Sequence, residues 1–303
     1  MPPRAPATRS QAAPAHCPVC LATAIRRRYA LASVTVWDCR GCGLGFLFPL
    51  PSVEEIQEEF ATLYSEGDAV TPELGGYYDY CFDTSDGSPV MARCEGWLDL
   101  LERYARPGTL LDVGCGTGLF VQAARRRGWH AFGFDDAEIA LTHARRVGSL
   151  PVFRAQAETL PTRPGWDAVT LWDMVEHMRD PVGFFTRLRM LLGPNGVVAA
   201  AMPNQRSLLG LVAHVLHRAS LGTVQAPLRR LYFRQHLLYF TPRSFAVLLE
   251  RTGFRLEAIY PESTDLRRLR LRPALRRALS VTFAIARRAG LENRFVAFAR
   301  PRS

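Results

Sequence analysis

Leu110-Leu-Asp-Val-Gly-Cys-Gly-Thr-Gly118 is the stretch whose reading decides the fold. A short apolar run with one acid, Asp112, gives way at once to glycines at 114, 116 and 118, and positions 119–127 then carry helical spacing. A strand that ends in a glycine loop and passes directly into a helix is a ligand-binding turn of an α/β sheet. A dinucleotide site of the G-x-G-x-x-G kind fails here, because Leu119 occupies its last position. Asp112 beside the loop would repel a pyrophosphate and suits a ligand bearing an ammonium or sulfonium group. About 23 residues further on, Gly133-Phe-Asp-Asp136 closes the next strand with acids, Asp135 and Asp136, placed to accept from ribose hydroxyls. Together these features fit a nucleoside joined to a zwitterionic amino acid.

Working outward, strands are predicted at 110–113, 131–134, 168–172 and 197–202, with a weaker one at 151–153. Helices are predicted at 119–127, 138–146 and 181–192, preceded by helices from 52 to about 64 and from 89 to 104. Alternation of buried strands with helices means a mainly parallel sheet covered on both faces, with its ligands at the carboxyl ends of the strands.

Ahead of this lies a second signal. Cys17-Pro-Val-Cys20 and Cys39-Arg-Gly-Cys42 are two C-x2-C knuckles separated by 18 residues, and Cys17, Cys20, Cys39 and Cys42 can close tetrahedrally on zinc. The segment between them reads as a hairpin arm of a zinc ribbon. Four protein ligands leave no open position, so the zinc is expected to be structural, and thiolate ligation argues for a reducing compartment. Cys81, Cys94 and Cys115 form no pattern and are read as packing residues.

From about Gly108 to Gly253 the chain resembles the class I methyltransferases dependent on S-adenosylmethionine, particularly the branch that includes quinone-biosynthesis enzymes. The resemblance rests on the glycine loop, Gly133-Phe-Asp135, Ala155-Gln-Ala-Glu-Thr-Leu-Pro161, Trp166-Asp-Ala-Val-Thr-Leu-Trp-Asp-Met-Val-Glu-His177, Gly193-Pro-Asn-Gly196 and Leu238-Tyr-Phe-Thr-Pro242, in that order. It implies a Rossmann-like α/β fold with a seven-stranded, mostly parallel sheet, helices on both faces and a final antiparallel strand at 293–300. It also implies that Asp112, Gly114, Gly116 and Gly118 meet the methionine end of S-adenosyl-L-methionine, that Asp135 with Asp136 holds the ribose, and that Gln156, Ala157 and Trp172 lie against the rest. The family usually has Asp where Gln156 stands; a Gln carbonyl still accepts from an adenine amino group. His177, after the fourth strand, is the first candidate for a general base, and His236 the second. Tyr78, Tyr80 and Tyr239 are candidates to line an acceptor pocket. The ribbon more loosely resembles those of methyltransferases that modify sugars and glycans.

The expected organisation is a disordered tail at 1–16, the zinc ribbon at 17–49, a helical linker or cap at 50–107, and a methyltransferase domain at 108–303. Insertions at 204–238 and 262–291 leave strand ends on the acceptor face. Charge separates these parts. All 38 basic residues are arginine, which excludes lysine-dependent chemistry such as a phosphate-binding loop or a Schiff base. Net charge is +5 over residues 1–48, −3 over 49–260 and +8 over 261–303. Leucines at 266, 269, 271, 275 and 279 approximate a helical face among arginines, broken near Pro273. That face either packs on the core or lies on anionic lipid.

No run approaches the 18 apolar residues of a spanning helix and no secretory signal opens the chain, so a cytoplasmic protein with peripheral membrane association is expected. A small-molecule or lipid-linked acceptor, methylated on oxygen or carbon, is the favoured partner. RNA methylation is the rival, disfavoured because no Asp/Asn-Pro-Pro-Tyr run follows the fourth strand; a non-catalytic cofactor-binding regulator is the third reading.

Overall fold

The computed structural model describes residues 13–66, 82, 83, 85, 87–156, 165–268 and 271–302. Eleven strands and nine α-helices are found among them. The ribbon comprises β1 (Ile25–Ala30), β2 (Thr35–Cys39) and β3 (Gly45–Leu47). Two helices follow, α1 (Val53–Glu66) and α2 (Pro89–Leu101). The alternating core is β4 (Thr109–Val113), α3 (Leu119–Arg126), β5 (His130–Asp135), α4 (Glu138–Gly148), β6 (Val152–Arg154), β7 (Trp166–Trp172), α5 (Pro181–Leu191) and β8 (Leu192–Pro203). After it come α6 (Leu208–Ala219), α7 (Ala226–Arg229), β9 (Leu238–Tyr239), α8 (Pro242–Arg251), β10 (Phe254–Glu262), α9 (Pro273–Ala289) and β11 (Arg294–Pro301).

The main sheet has seven strands in the order β10-β11-β8-β7-β4-β5-β6. Pairings from β8 to β6 are parallel, and β11 is antiparallel to both its neighbours. This is the Rossmann-like α/β arrangement expected from the sequence. The central strands are mainly apolar because each of their faces is covered. Leu111, Val113, Val169, Leu171, Val198 and Ala200 point to the side of α5, α8 and the ribbon. Leu110, Ala168, Trp172, Val197 and Ala199 point to the side of α2, α3 and α4.

The ribbon sheet contains a strand that its own sequence does not supply. Its order is β1-β2-β3-β9, and the last member comes from the far side of the core. Gly45 pairs with Tyr239 and Phe46 with Leu238. Phe46 and Leu47 are thus held in a strand that pairs on both sides, with β2 and with β9 or its approach. Ribbon and core share one apolar cluster, in which Val36, Leu44 and Phe46 join Phe240 and Phe245.

The arginine-rich insertion departs from the leucine face drawn above. Pro273 is the first residue of α9 and starts a new helix, so Leu266 and Leu271 precede it, and Leu269 lies outside the described residues. Phe283 and Ala286 are the buried residues of α9, and Leu275 is exposed.

Candidate active site

At the carboxyl end of β4, Gly114, Gly116 and Gly118 all take positive φ, at 76°, 51° and 76°. A Cβ on Gly114 would come within 2.7 Å of Met174 Cγ, so the loop lies tight against the end of β7 and needs glycine there. Asp112 is buried under this loop, and Thr170 Oγ1 donates to its Oδ1 at 2.6 Å. Burial, with the charge of Asp135 nearby, pushes the Asp112 carboxyl up to about 7 against the pull of that hydrogen bond. Among the described residues no cation is paired with it. Asp135 at the end of β5 accepts from Gly116 N–H at 2.8 Å and from Ala137 N–H at 2.9 Å. Loss of solvent raises it to about 6 despite those bonds. Two carboxyls short of positive charge, beside a bare backbone loop, fit a ligand that brings its own cation and hydroxyl donors. S-adenosylmethionine has that chemistry, and each carboxylate oxygen retains a lone pair for it.

Beside the loop, β7 runs into a short 3-10 turn, Val175–His177. Glu176 is buried, and its two carboxylate oxygens have no hydrogen-bond partner among the described residues. Burial and the neighbouring Asp173 drive its carboxyl up to about 8. His177 Nδ1 lies 2.7 Å from the carbonyl of Gln235. A carbonyl only accepts, so Nδ1 carries the proton. The Asp173 backbone carbonyl also supports the ring, yet burial outweighs both contacts and lowers the His177 pKa. His236 packs edge-on against it with ring centroids 4.8 Å apart. Its Nε2 stands 4.0 Å from Glu176 Oε1, and burial together with His177 holds it well below the ordinary histidine range. Ligand atoms of Glu176, His177 and His236 all lie within 4.8 Å of one another, a spacing and donor set that could also hold a divalent cation.

The other wall is an ionic network. Arg294, at the start of β11, bonds Asp173 and donates from Nε to Glu262 Oε2 at 2.7 Å. Glu262 Oε1 accepts from Trp97 Nε1 at 2.7 Å, and the Arg93 guanidinium lies 4.5 Å over the Trp97 ring. Trp97 in turn stacks on Trp172 at 4.3 Å. Edge strands, central strand and α2 are thereby fastened together at the ligand end of the sheet.

In the ribbon, Cys17 and Cys42 have their sulfurs 3.7 Å apart, and Cys20 and Cys39 theirs 3.4 Å apart. Four sulfurs at about 2.3 Å from one zinc would be separated by about 3.8 Å, so the cluster fits a tetrahedral site. A disulfide, at about 2.0 Å, is excluded by the same distances.

A family profile described as "Methyltransferase domain" matches residues 91–259, more than half of the chain. The chain belongs to this methyltransferase family. Ubiquinone biosynthesis O-methyltransferases are among its relatives. That of Xylella fastidiosa is 28% identical over 162 residues, covering 50% of this chain and 62% of the relative. That of Hahella chejuensis is 40% identical over 93 residues, covering 28% and 39%. The chain thus spans about half the length of the curated relatives it matches. Among solved structures, magnesium protoporphyrin IX methyltransferase from Synechocystis, with bound SAH, aligns with a TM-score of 0.53 at 14% identity, covering 83% of this chain and all of that one. A SAM-dependent methyltransferase from Leishmania major gives 0.51 at 15% identity, covering 81% of each chain. At such identities these two show a common fold.

Within this methyltransferase, the sequence candidates fall into three groups. Asp112, Asp135 and the three glycines come together around one loop, while Asp136 and Gln156 are exposed at neighbouring strand ends. His177 and His236, 59 positions apart in the chain, meet as a pair. Trp172 is packed between Trp97 and Phe120, with its indole nitrogen unpartnered among the described residues. Tyr239 is buried in β9 and donates to the carbonyl of Phe233 at 3.1 Å. Ala157, Tyr78, Tyr80, Cys81 and residues 1–12 of the expected tail lie outside the described residues. The ionic wall of Arg93, Asp173, Glu262 and Arg294 was missed by sequence reasoning. One signal existed, an arginine opening the apolar run Phe295 to Ala299, but Asp173 and Glu262, which it meets, stand far from it in the chain.

Proposed function

We propose that this protein is an S-adenosylmethionine-dependent methyltransferase acting on an oxygen or acidic carbon of a small or lipid-carried acceptor of quinone-like or sugar type. The observation that carries the reading is Asp112, a buried carboxyl without a counter-cation among the described residues, beneath the glycine loop. Asp112 and the loop would hold the methionine end, Asp135 the ribose hydroxyls, and Gln156 the adenine edge. When bound, the cofactor supplies a methyl group already activated on a sulfonium, so the protein's task is chiefly alignment.

Two tasks remain for the histidines: orienting the acceptor and taking its proton. His177 is tied through Nδ1 to the backbone carbonyl of Gln235, which suits a positioning role. His236 is neutral at physiological pH, so its imidazole has a lone pair with which to take a proton, which suits the base. The names of the quinone-biosynthesis relatives support a hydroxyl acceptor. Zinc in the four-thiolate cluster would serve as a structural clamp.

Labelled S-adenosylmethionine offered to separated lipid, small-metabolite and RNA extracts tests the acceptor class. Label is expected in the lipid or metabolite fraction, and label in RNA alone would overturn the reading. His236→Ala should lower kcat by about 100- to 10,000-fold with cofactor affinity unchanged. An unaffected kcat would remove the base assignment.

A further inference from the structure

Helices α6 and α9 leave the sheet at one place. Leu208 N–H donates to the carbonyl of Leu291 at 2.9 Å, and Asn204 N–H to that of Asn293 at 2.9 Å. This is the carboxyl end of β8, the end that carries the glycine loop and the histidines. Neither helix is packed as its composition would suggest. In α6 only Gly210 and Ala213 are buried, whereas Leu211, Val212, Val215 and Leu216 are exposed in a stripe at helical spacing. Leu221, just beyond it, is 94% exposed. On α9, Val281 and Ile285 are 57% and 52% exposed, one turn apart. Single exposed leucines are ordinary on a protein surface; stripes on two adjoining helices form a patch that calls for a partner.

The charge around the patch says which partner. No acidic residue occurs between Asp180 and Glu250, or between Asp265 and Glu292. Arg218, Arg229 and Arg230 are exposed along the first insertion, and Arg277, Arg287 and Arg288 along α9. We propose that α6 and α9 form a docking surface for an anionic lipid bilayer. The apolar stripes enter the boundary between headgroups and chains, and the arginines pair with lipid phosphates, which their forked donors match. No helix among the described residues is long and apolar enough to cross a membrane, so the contact is peripheral. A second copy of the chain fits less well, since a two-fold contact through this patch would set arginine rims against each other with no acid between them. RNA would engage the arginines and leave the leucine and valine stripes in water. The surface stands apart from the reaction proposed above and does not depend on it.

Flotation of the full chain with vesicles tests the proposal. The protein should rise with phosphatidylcholine vesicles containing about 30% phosphatidylglycerol at about 0.1 M salt and stay behind with phosphatidylcholine alone. The double variants Val215→Ser/Leu216→Ser and Val281→Ser/Ile285→Ser should each weaken that binding about tenfold or more, with melting temperature unchanged because these positions are exposed. Arg287→Ser/Arg288→Ser should weaken it and reduce its salt sensitivity. Binding to neither vesicle, or equal binding to both, would overturn the proposal. So would a dimer that the Val215→Ser/Leu216→Ser variant dissolves, or RNA binding to which the apolar variants are indifferent.

Discussion

The glycine loop after β4 and the histidine wall after β7 lie at the same end of one sheet, but they are assembled in opposite ways. Asp112, the glycines and Asp135 come from a single strand-loop-helix-strand unit of about 25 residues, in which Gly116 bonds Asp135, and the adjacent β7 adds one bond, from Thr170 to Asp112. The wall needs remote support. Leu237 N–H donates to the carbonyl of Glu176 at 2.8 Å, Leu47 N–H donates to the carbonyl of Leu237 at 2.9 Å, and β3 of the ribbon pairs with β9 just beyond. The segment that carries Gln235 and His236 is therefore clamped between the core and the ribbon. A self-contained cofactor loop beside a ribbon-dependent wall implies that the two halves of the site can fail separately.

The largest expected effect tests that separation. Replacing Cys17 and Cys42 by Ser, or stripping the cluster with a chelator, should lower methyl transfer by about 100-fold or more, because the His236 segment loses its brace. Cofactor affinity should change by less than about threefold, since the loop does not touch the ribbon. Equal loss of both, measured by calorimetry beside turnover, would show that the ribbon holds up the whole fold.

Asp112→Asn should do the converse. Removal of the charge should weaken S-adenosylmethionine binding by about 10- to 100-fold, the worth of a charge-assisted contact of about 1.5–3 kcal/mol. The wild-type site adds a pH dependence. A cationic ligand favours the ionised carboxyl, so with Asp112 at about 7 and Asp135 at about 6 affinity should rise as pH increases through that window, with proton release on binding. Stability of the ligand-free protein should move oppositely. These raised carboxyls favour the fold while protonated, and that contribution, full below about pH 4, is lost progressively as pH climbs to about 6 for Asp135 and about 7 for Asp112. A flat affinity profile would detach Asp112 from the ligand.

The smallest effect concerns the seam. A Cβ on Gly45 would lie 2.2 Å from Gln205 Nε2, whose amide reaches Asp38 Oδ1 at 3.1 Å. Gly45→Ala should cost about 1–3 kcal/mol by thermal melting. Methyl transfer should suffer more than cofactor binding, because the displaced side chain belongs to the seam.

Legibility in the sequence followed the same division. The loop and its strands could be read because their groups are contiguous and periodic, and the cysteine knuckles because their spacing has a chemical cause. Strand β9 has two residues, Leu238 and Tyr239, too few to show a period, and its partner lies far upstream. The pairing of His177 with His236 follows from that seam and was no more legible than the seam itself. Leucines around Pro273 suggested a packed face because spacing alone carries no phase across a proline. Once the helix restarts, Phe283 sets the buried side.

The pairing of Phe46 with Leu238 also orders events at the ribosome. The knuckles emerge first and can take up metal early, but the ribbon sheet lacks its fourth strand until about 190 further residues have been made. At about 5–20 residues per second that is a wait of roughly 10–40 s, during which Phe46 and its neighbours are paired with β2 and lack their partner on the other side. An early-loaded metal would keep the amino-terminal hairpin in register through that interval. The histidine wall closes only once the chain has been made through β9.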